Sequence, residues 1–94
     1  MKMSDFEMMP TEMPKGVQAV LDFGDYELSI IQNECSYGNK QGLYEIAVFK
    51  GNEQYELPGV TQPGDTVKGF LNEQEVDAII TKMYSITGNP PKQV

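Results

Sequence analysis

The chain has no histidine, no arginine and no tryptophan, and a single cysteine, Cys35, among its 94 residues. Each absence removes a class of chemistry. Without histidine, neither Cys35 nor Ser29, Ser36 or Ser85 has an imidazole base to activate it as a nucleophile. Zinc sites built on His and Cys are excluded by count. Neither enzyme chemistry nor a cofactor or metal is expected. One cysteine cannot form an intrachain disulfide, which suits a reducing, cytoplasmic setting. No apolar run approaches the ~20 residues of a membrane-crossing helix, and MKMSDFEMM lacks the apolar centre of a secretory leader, so no membrane partner is expected. Without arginine there is no guanidinium fork for bidentate phosphate contacts. Seven lysines stand against fourteen acids, a net charge of −7. That balance reads most simply as solubility and mutual repulsion, and it disfavours nucleic-acid binding by bulk charge.

What is present is enough for one folded domain. The apolar fraction is 39%, with four Phe and five Tyr, and a chain this long buries roughly 60–65% of its unfolded surface. The clearest element lies at the C-terminal end. Val76, Ile79, Ile80 and Met83 recur at i, i+3, i+4, i+7 and predict a helix from about Glu73 to Ser85. Asn72 stands at the N-cap, and Glu75 follows at the capping-box position.

Upstream, the period is two. Val17, Ala19, Leu21 and Phe23 share one face of a strand, Gly24-Asp25 fits a type II′ hairpin turn, and Tyr26 to Gln32 returns. Leu43 to Lys50 is apolar on both faces and reads as a bent central strand. Gly51-Asn52 turns into a short strand, Glu53 to Leu57, with Tyr55 and Leu57 inward. Gln62-Pro63-Gly64-Asp65 fits a type II turn leading to a last strand, Thr66 to Leu71, with Gly69 as its kink or bulge.

Residues 1–16, rich in Met and broken by Pro10 and Pro14, read as a flexible N-terminal arm, and residues 89–94 as a loose tail. The expected class is mainly β: a small five-stranded antiparallel barrel, Sm-like or SH3-like, over residues 17–88, closed off by the C-terminal α-helix. An OB-type barrel is the next choice. So few strands leave open edges, and pairing of edges between copies predicts a homo-oligomer, in the simplest case a ring.

The best ligand candidate is the loop Tyr37-Gly38-Asn39-Lys40-Gln41-Gly42. Its glycines permit close backbone approach. Asn39 can hydrogen-bond a base edge or phosphate, Lys40 supplies charge, and Tyr37 or Tyr44 offers a ring for stacking. Lys68 on the last strand joins the candidate set. The acids Asp22, Asp25 and Glu27 around the first hairpin read as a solvated turn.

The segments YGNKQGLYEIAVF, ELPGV and GDTVKGFLNEQEVDAIITKMYSITG resemble a family of small uncharacterised marine phage proteins of the cyanophage kind. The likeness spans residues 38–88. It implies an Sm-like barrel assembled as a ring, nucleic-acid binding by analogy of fold, and a host-cell cytoplasmic setting. The sequence departs from ordinary Sm proteins: no Asp-x-Met-Asn follows a strand, no Ile-Arg-Gly lies near the end, and the helix follows the strands. No uridine-pocket residue is therefore carried over. Two functions are expected from these features. One is a ring that binds single-stranded RNA or DNA through Tyr37, Asn39, Lys40 and Lys68, in nucleic-acid processing. The other is a phage accessory or assembly protein that contacts proteins through its sheet edges or Met-rich arm.

Overall fold

The computed structural model describes all residues, Met1–Val94. The alternating segments form a meander in which β1 (Met9–Glu12), β2 (Lys15–Asp22), β3 (Glu27–Asn33), β4 (Tyr44–Lys50) and β5 (Glu53–Gln54) lie side by side, each antiparallel to the next. The edge of β4 away from β3 is shared: β5 takes Phe49 and Lys50, and β6 (Val67–Leu71) takes Tyr44 to Ala47. The outer edge of β2 is divided in the same way between β1 and β7 (Lys92–Gln93).

No ladder joins the β1/β7 side to the β5/β6 side, so the sheet is open. This corrects the expected closed barrel. The physical reason lies in the outer strands and the helix. The outer strands are two to five residues long, too short to wrap round. The apolar face that a closing strand would help to bury is covered by α1 (Glu73–Thr87). The result is a mixed domain, an open antiparallel sheet with one C-terminal helix.

The core is the seam between them. Leu21, Phe23, Leu28, Ile30, Ile46 and Val48 come from the central strands and the β2–β3 turn, and Val76, Ile79, Ile80 and Met83 from α1. The predicted apolar stripe is thus the buried face of the helix. Its start is as the sequence predicts: the Asn72 side chain accepts from the Glu75 N–H at 2.8 Å, and the Glu75 carboxylate accepts from the Asn72 N–H at 3.0 Å. Asn72→Ala removes the acceptor for one N–H in the first turn, and should cost about 1 kcal/mol in a urea melt, without loss of fold.

The turns also form as read. Phe23 N–H donates to the Tyr26 carbonyl at 2.8 Å across Gly24-Asp25, and Asp65 N–H to the Gln62 carbonyl at 2.9 Å. Tyr55 is a correction. It points outward, beside Tyr26, and the Lys50 ammonium lies 5.3 Å from the Tyr55 ring and 5.7 Å from the Tyr26 ring. Tyr55 N–H makes this segment's last bond to β4, at 2.9 Å to the Val48 carbonyl, and the chain then turns away, with Val60 and Thr61 N–H both donating to the Leu57 carbonyl. Leu57 itself is buried.

The two ends differ most from expectation. Residues 1–16 carry a 3-10 turn, Met3–Asp5, and then β1. Met3 is buried against the core, and its N–H donates to Asp77 Oδ1 on α1 at 2.7 Å. Phe6 and Met8 pack on the same core. The expected tail supplies β7, and Glu7 N–H donates to Gln93 Oε1 at 2.8 Å, so the two ends hold each other. Composition hid this, because single apolar residues spaced between prolines carry no period. No helix of the chain is long and apolar enough to cross a membrane.

Candidate nucleic-acid interface

The site begins with a misfit at the end of β6. Phe70 and Leu71 are consecutive apolar residues on a strand, where only one can face the core. Leu71 does, and it is buried. The conflict is relieved by an extra residue. Leu71 pairs with Tyr44 and Lys68 with Ile46, so Gly69 and Phe70 together oppose the single residue Glu45. The bulge anticipated at Gly69 is present, but its strained residue is Phe70, with φ +57°, the only non-glycine residue at positive φ. That conformation costs about 1–2 kcal/mol for an L-residue with a Cβ. In that conformation Phe70 is 57% exposed. A strained backbone that presents an aromatic ring to solvent is the kind of outlier that points to a site.

The loop after β3 meets this bulge. It is anchored below by Asn33 and Ser36, both buried, with Asn33 N–H donating to Ser36 Oγ and Cys35 N–H to Asn33 Oδ1, each at 2.9 Å. From there Tyr37 is pinned on two sides. Its N–H donates to Glu45 Oε1 at 2.9 Å, and its carbonyl accepts from Phe70 N–H at 3.3 Å. Two glycines make the approach possible. A Cβ on Gly69 would lie 2.4 Å from the Tyr37 Cβ, and one on Gly38 would lie 3.0 Å from the Phe70 Cα. With both absent, the Tyr37 and Phe70 rings lie nearly parallel, at 15° and with centroids 6.3 Å apart, within the range of offset stacking. Tyr37 is 59% exposed.

These two rings form a wall shared by two shallow hollows. On one side, a hollow of about 340 Å³ is lined by Asn39 and Lys40 of the short 3-10 turn, with Glu34. On the other, a hollow of about 260 Å³ is lined by Lys68, with Gln62 and Asp65. All four residues singled out from the sequence, Tyr37, Asn39, Lys40 and Lys68, are therefore gathered round one feature. Tyr44, the alternative stacking ring, is turned against the core instead. Each lysine shares its hollow with one acid, Glu34 or Asp65, so stacking rather than net charge distinguishes the place.

Phe70 is the residue that reading the sequence missed. Its signal was the Gly-Phe-Leu run before a helix cap, where two neighbouring apolar side chains cannot share one face of a strand. Of the first-hairpin acids, Asp22 and Glu27 are cross-strand partners, Asp22 Oδ1 accepts from the Gly24 N–H at 2.7 Å, and no group of three His, Cys, Asp or Glu is placed to hold a metal ion. Gly69→Ala is expected to push Tyr37 off the bulge. The added methyl should cost about 1–3 kcal/mol as overpacking in urea unfolding, and should move the Tyr37 and Phe70 ring resonances by NMR. Comparison with protein-family models, curated proteins and solved structures returned no match.

Proposed function

We propose that this protein binds single-stranded RNA or DNA, stacking bases on Tyr37 and Phe70 while Lys40 and Lys68 reach flanking phosphates and Asn39 hydrogen-bonds a base edge or phosphate. One observation carries the reading: two exposed, nearly parallel aromatic rings, held by a strained bulge and flanked on either side by a lysine. Stacking on aromatic side chains tolerates any base and needs no covalent chemistry, which suits a chain without a catalytic constellation. The corresponding role is in nucleic-acid processing.

The magnitudes favour repetition of the site. Two stacked bases at about 1–3 kcal/mol each amount to about 2–6 kcal/mol. Taken alone, that corresponds to dissociation constants from tens of millimolar to tens of micromolar. A homo-oligomeric ring, as in Sm-like assemblies, would place several such sites round one axis and raise the overall affinity without new contacts. The ring belongs to the proposal for that reason. A monomer by light scattering at high micromolar concentration would remove it and leave a weak single-site binder.

The test is fluorescence polarisation with a labelled mixed-sequence oligonucleotide. With two lysines engaged per site, the single-strand slope of log affinity against log salt should be about −1.4, a loss of about sevenfold between 50 and 200 mM salt. Absence of binding at about 50 mM salt would overturn the reading.

A further inference from the structure

The sheet has a second face, which α1 leaves free and the β1–β2 hairpin borders: Ser29 on it is buried, and Ile31, Ala47, Phe49 and Val67 are half-buried. α1 and the core lie on the side of Leu28, Ile30, Ile46 and Val48. Strand alternation puts Ser29, Ile31, Ala47, Phe49 and Val67 on the other side, in register: Ser29 opposes Ala47, and Ala47 opposes Val67. Beside this face the β1–β2 hairpin turns at Met13, which is 96% exposed. Between the hairpin and β4 runs a groove of about 290 Å³, with Ile31, Ala47, Phe49 and Val67 among its walls. Its polar base is satisfied internally, with Gln18 Nε2 donating to Ser29 Oγ at 3.0 Å. Half-buried apolar walls over a satisfied base leave room for an incoming apolar side chain.

Its charge says what kind of occupant it takes. The groove lining holds one charged residue, Glu45, and no lysine. Glu27 stands directly across from Phe49, and Asp22 across from Glu27. The one cation of this face, Lys92, lies opposite Asp22 at the far end. A second copy of the chain, docked face to face about a twofold axis, would set acid against acid and add another net charge of −7. A segment that alternates apolar and basic residues meets both features at once: apolar side chains in the groove, cations toward Glu27 and Glu45. We infer that this outer sheet face binds a polypeptide segment of another protein in which apolar residues are interleaved with lysine or arginine.

The inference does not rest on the nucleic-acid reading: the aromatic pair is not among the groove's walls, although Glu45 also accepts from the Tyr37 N–H and Val67 borders the Lys68 hollow as well. The probe is a short labelled peptide of alternating leucine and lysine. Two controls accompany it, one of alternating leucine and glutamate and one of alternating serine and lysine. The first peptide should bind. Its amide shift changes on the intact isotope-labelled protein should centre on Ile31, Ala47 and Phe49, and both controls should bind at least about tenfold more weakly. Phe49→Ser and, separately, Ile31→Ser, each checked for fold by circular dichroism, should weaken the leucine–lysine peptide by about tenfold at unchanged charge. Tyr37→Ala with Phe70→Ala should leave it unaffected. Shifts centred on α1 or on Tyr37 and Phe70 would overturn the inference, as would equal binding of the serine–lysine peptide. Self-association that Phe49→Ser abolishes would assign the face to a second copy, and would overturn it too.

Discussion

Ile80→Ala should lower the free energy of unfolding by about 2–5 kcal/mol, among the largest stability effects expected of a single truncation of α1. Ile80 is fully buried in the seam between α1 and the sheet. Its loss leaves a cavity that the sheet cannot easily close, because β2, β3 and β4 are fixed by continuous ladders on both sides of β3. For a domain of this size, each kcal/mol moves the melting temperature by about 4–8 °C, so a drop of at least about 8 °C is expected by calorimetry. Ile86, on the same helix and exposed, is the control: Ile86→Ala should stay within about 0.5 kcal/mol. Equal effects of the two substitutions would show that α1 does not seal the core through the stripe that contains Ile80.

Replacing both Tyr37 and Phe70 by alanine should abolish measurable binding of single-stranded oligonucleotides, since it removes about 2–6 kcal/mol of stacking from a site with little else. The informative single variant is Phe70→Gly. Glycine adopts positive φ without strain, so the substitution should raise stability, by up to the roughly 1–2 kcal/mol held in the αL backbone, while affinity falls about 5- to 150-fold for the lost ring. Opposite signs for stability and binding mark a residue kept for what it contacts rather than for the fold. A variant less stable than the parent, with binding intact, would make Phe70 a structural residue and remove the aromatic pair from the site.

Local rules read well wherever a residue's neighbours in sequence are also its neighbours in space. The helix is such a case: its stripe, its capping box and the first helical turn all lie within a few residues of one another, and all form. The hairpin across Gly24-Asp25 and the turn at Gln62–Asp65 are others. The gathering of Tyr37, Asn39 and Lys40 follows from their being consecutive. That Lys68 joins them, and that Phe70 supplies the second ring, depends on a contact between a loop and a strand thirty residues apart, and periodicity carries no record of such contacts.

The closed barrel failed for a related reason. Alternation indicates that a segment is a strand, but not how its edges are divided. The outer edges of β2 and β4 are each shared by two short strands, and two of those four strands lie in stretches, residues 1–16 and 89–94, that show no alternation. Their pairing is imposed by the strand beside them. Glu7 and Gln93, 86 positions apart, meet only because both ends lie along β2.

Pattern, caps and turn residues by themselves determined that this chain makes an antiparallel meander ending in an amphipathic helix, because each of those features is a short-range balance of solvation and backbone geometry. The tertiary structure alone decided that the sheet stays open, that both termini are built into it, and that a phenylalanine is forced outward to face Tyr37. Those outcomes depend on which apolar groups compete for one buried seam, and that competition is settled only when distant segments pack together.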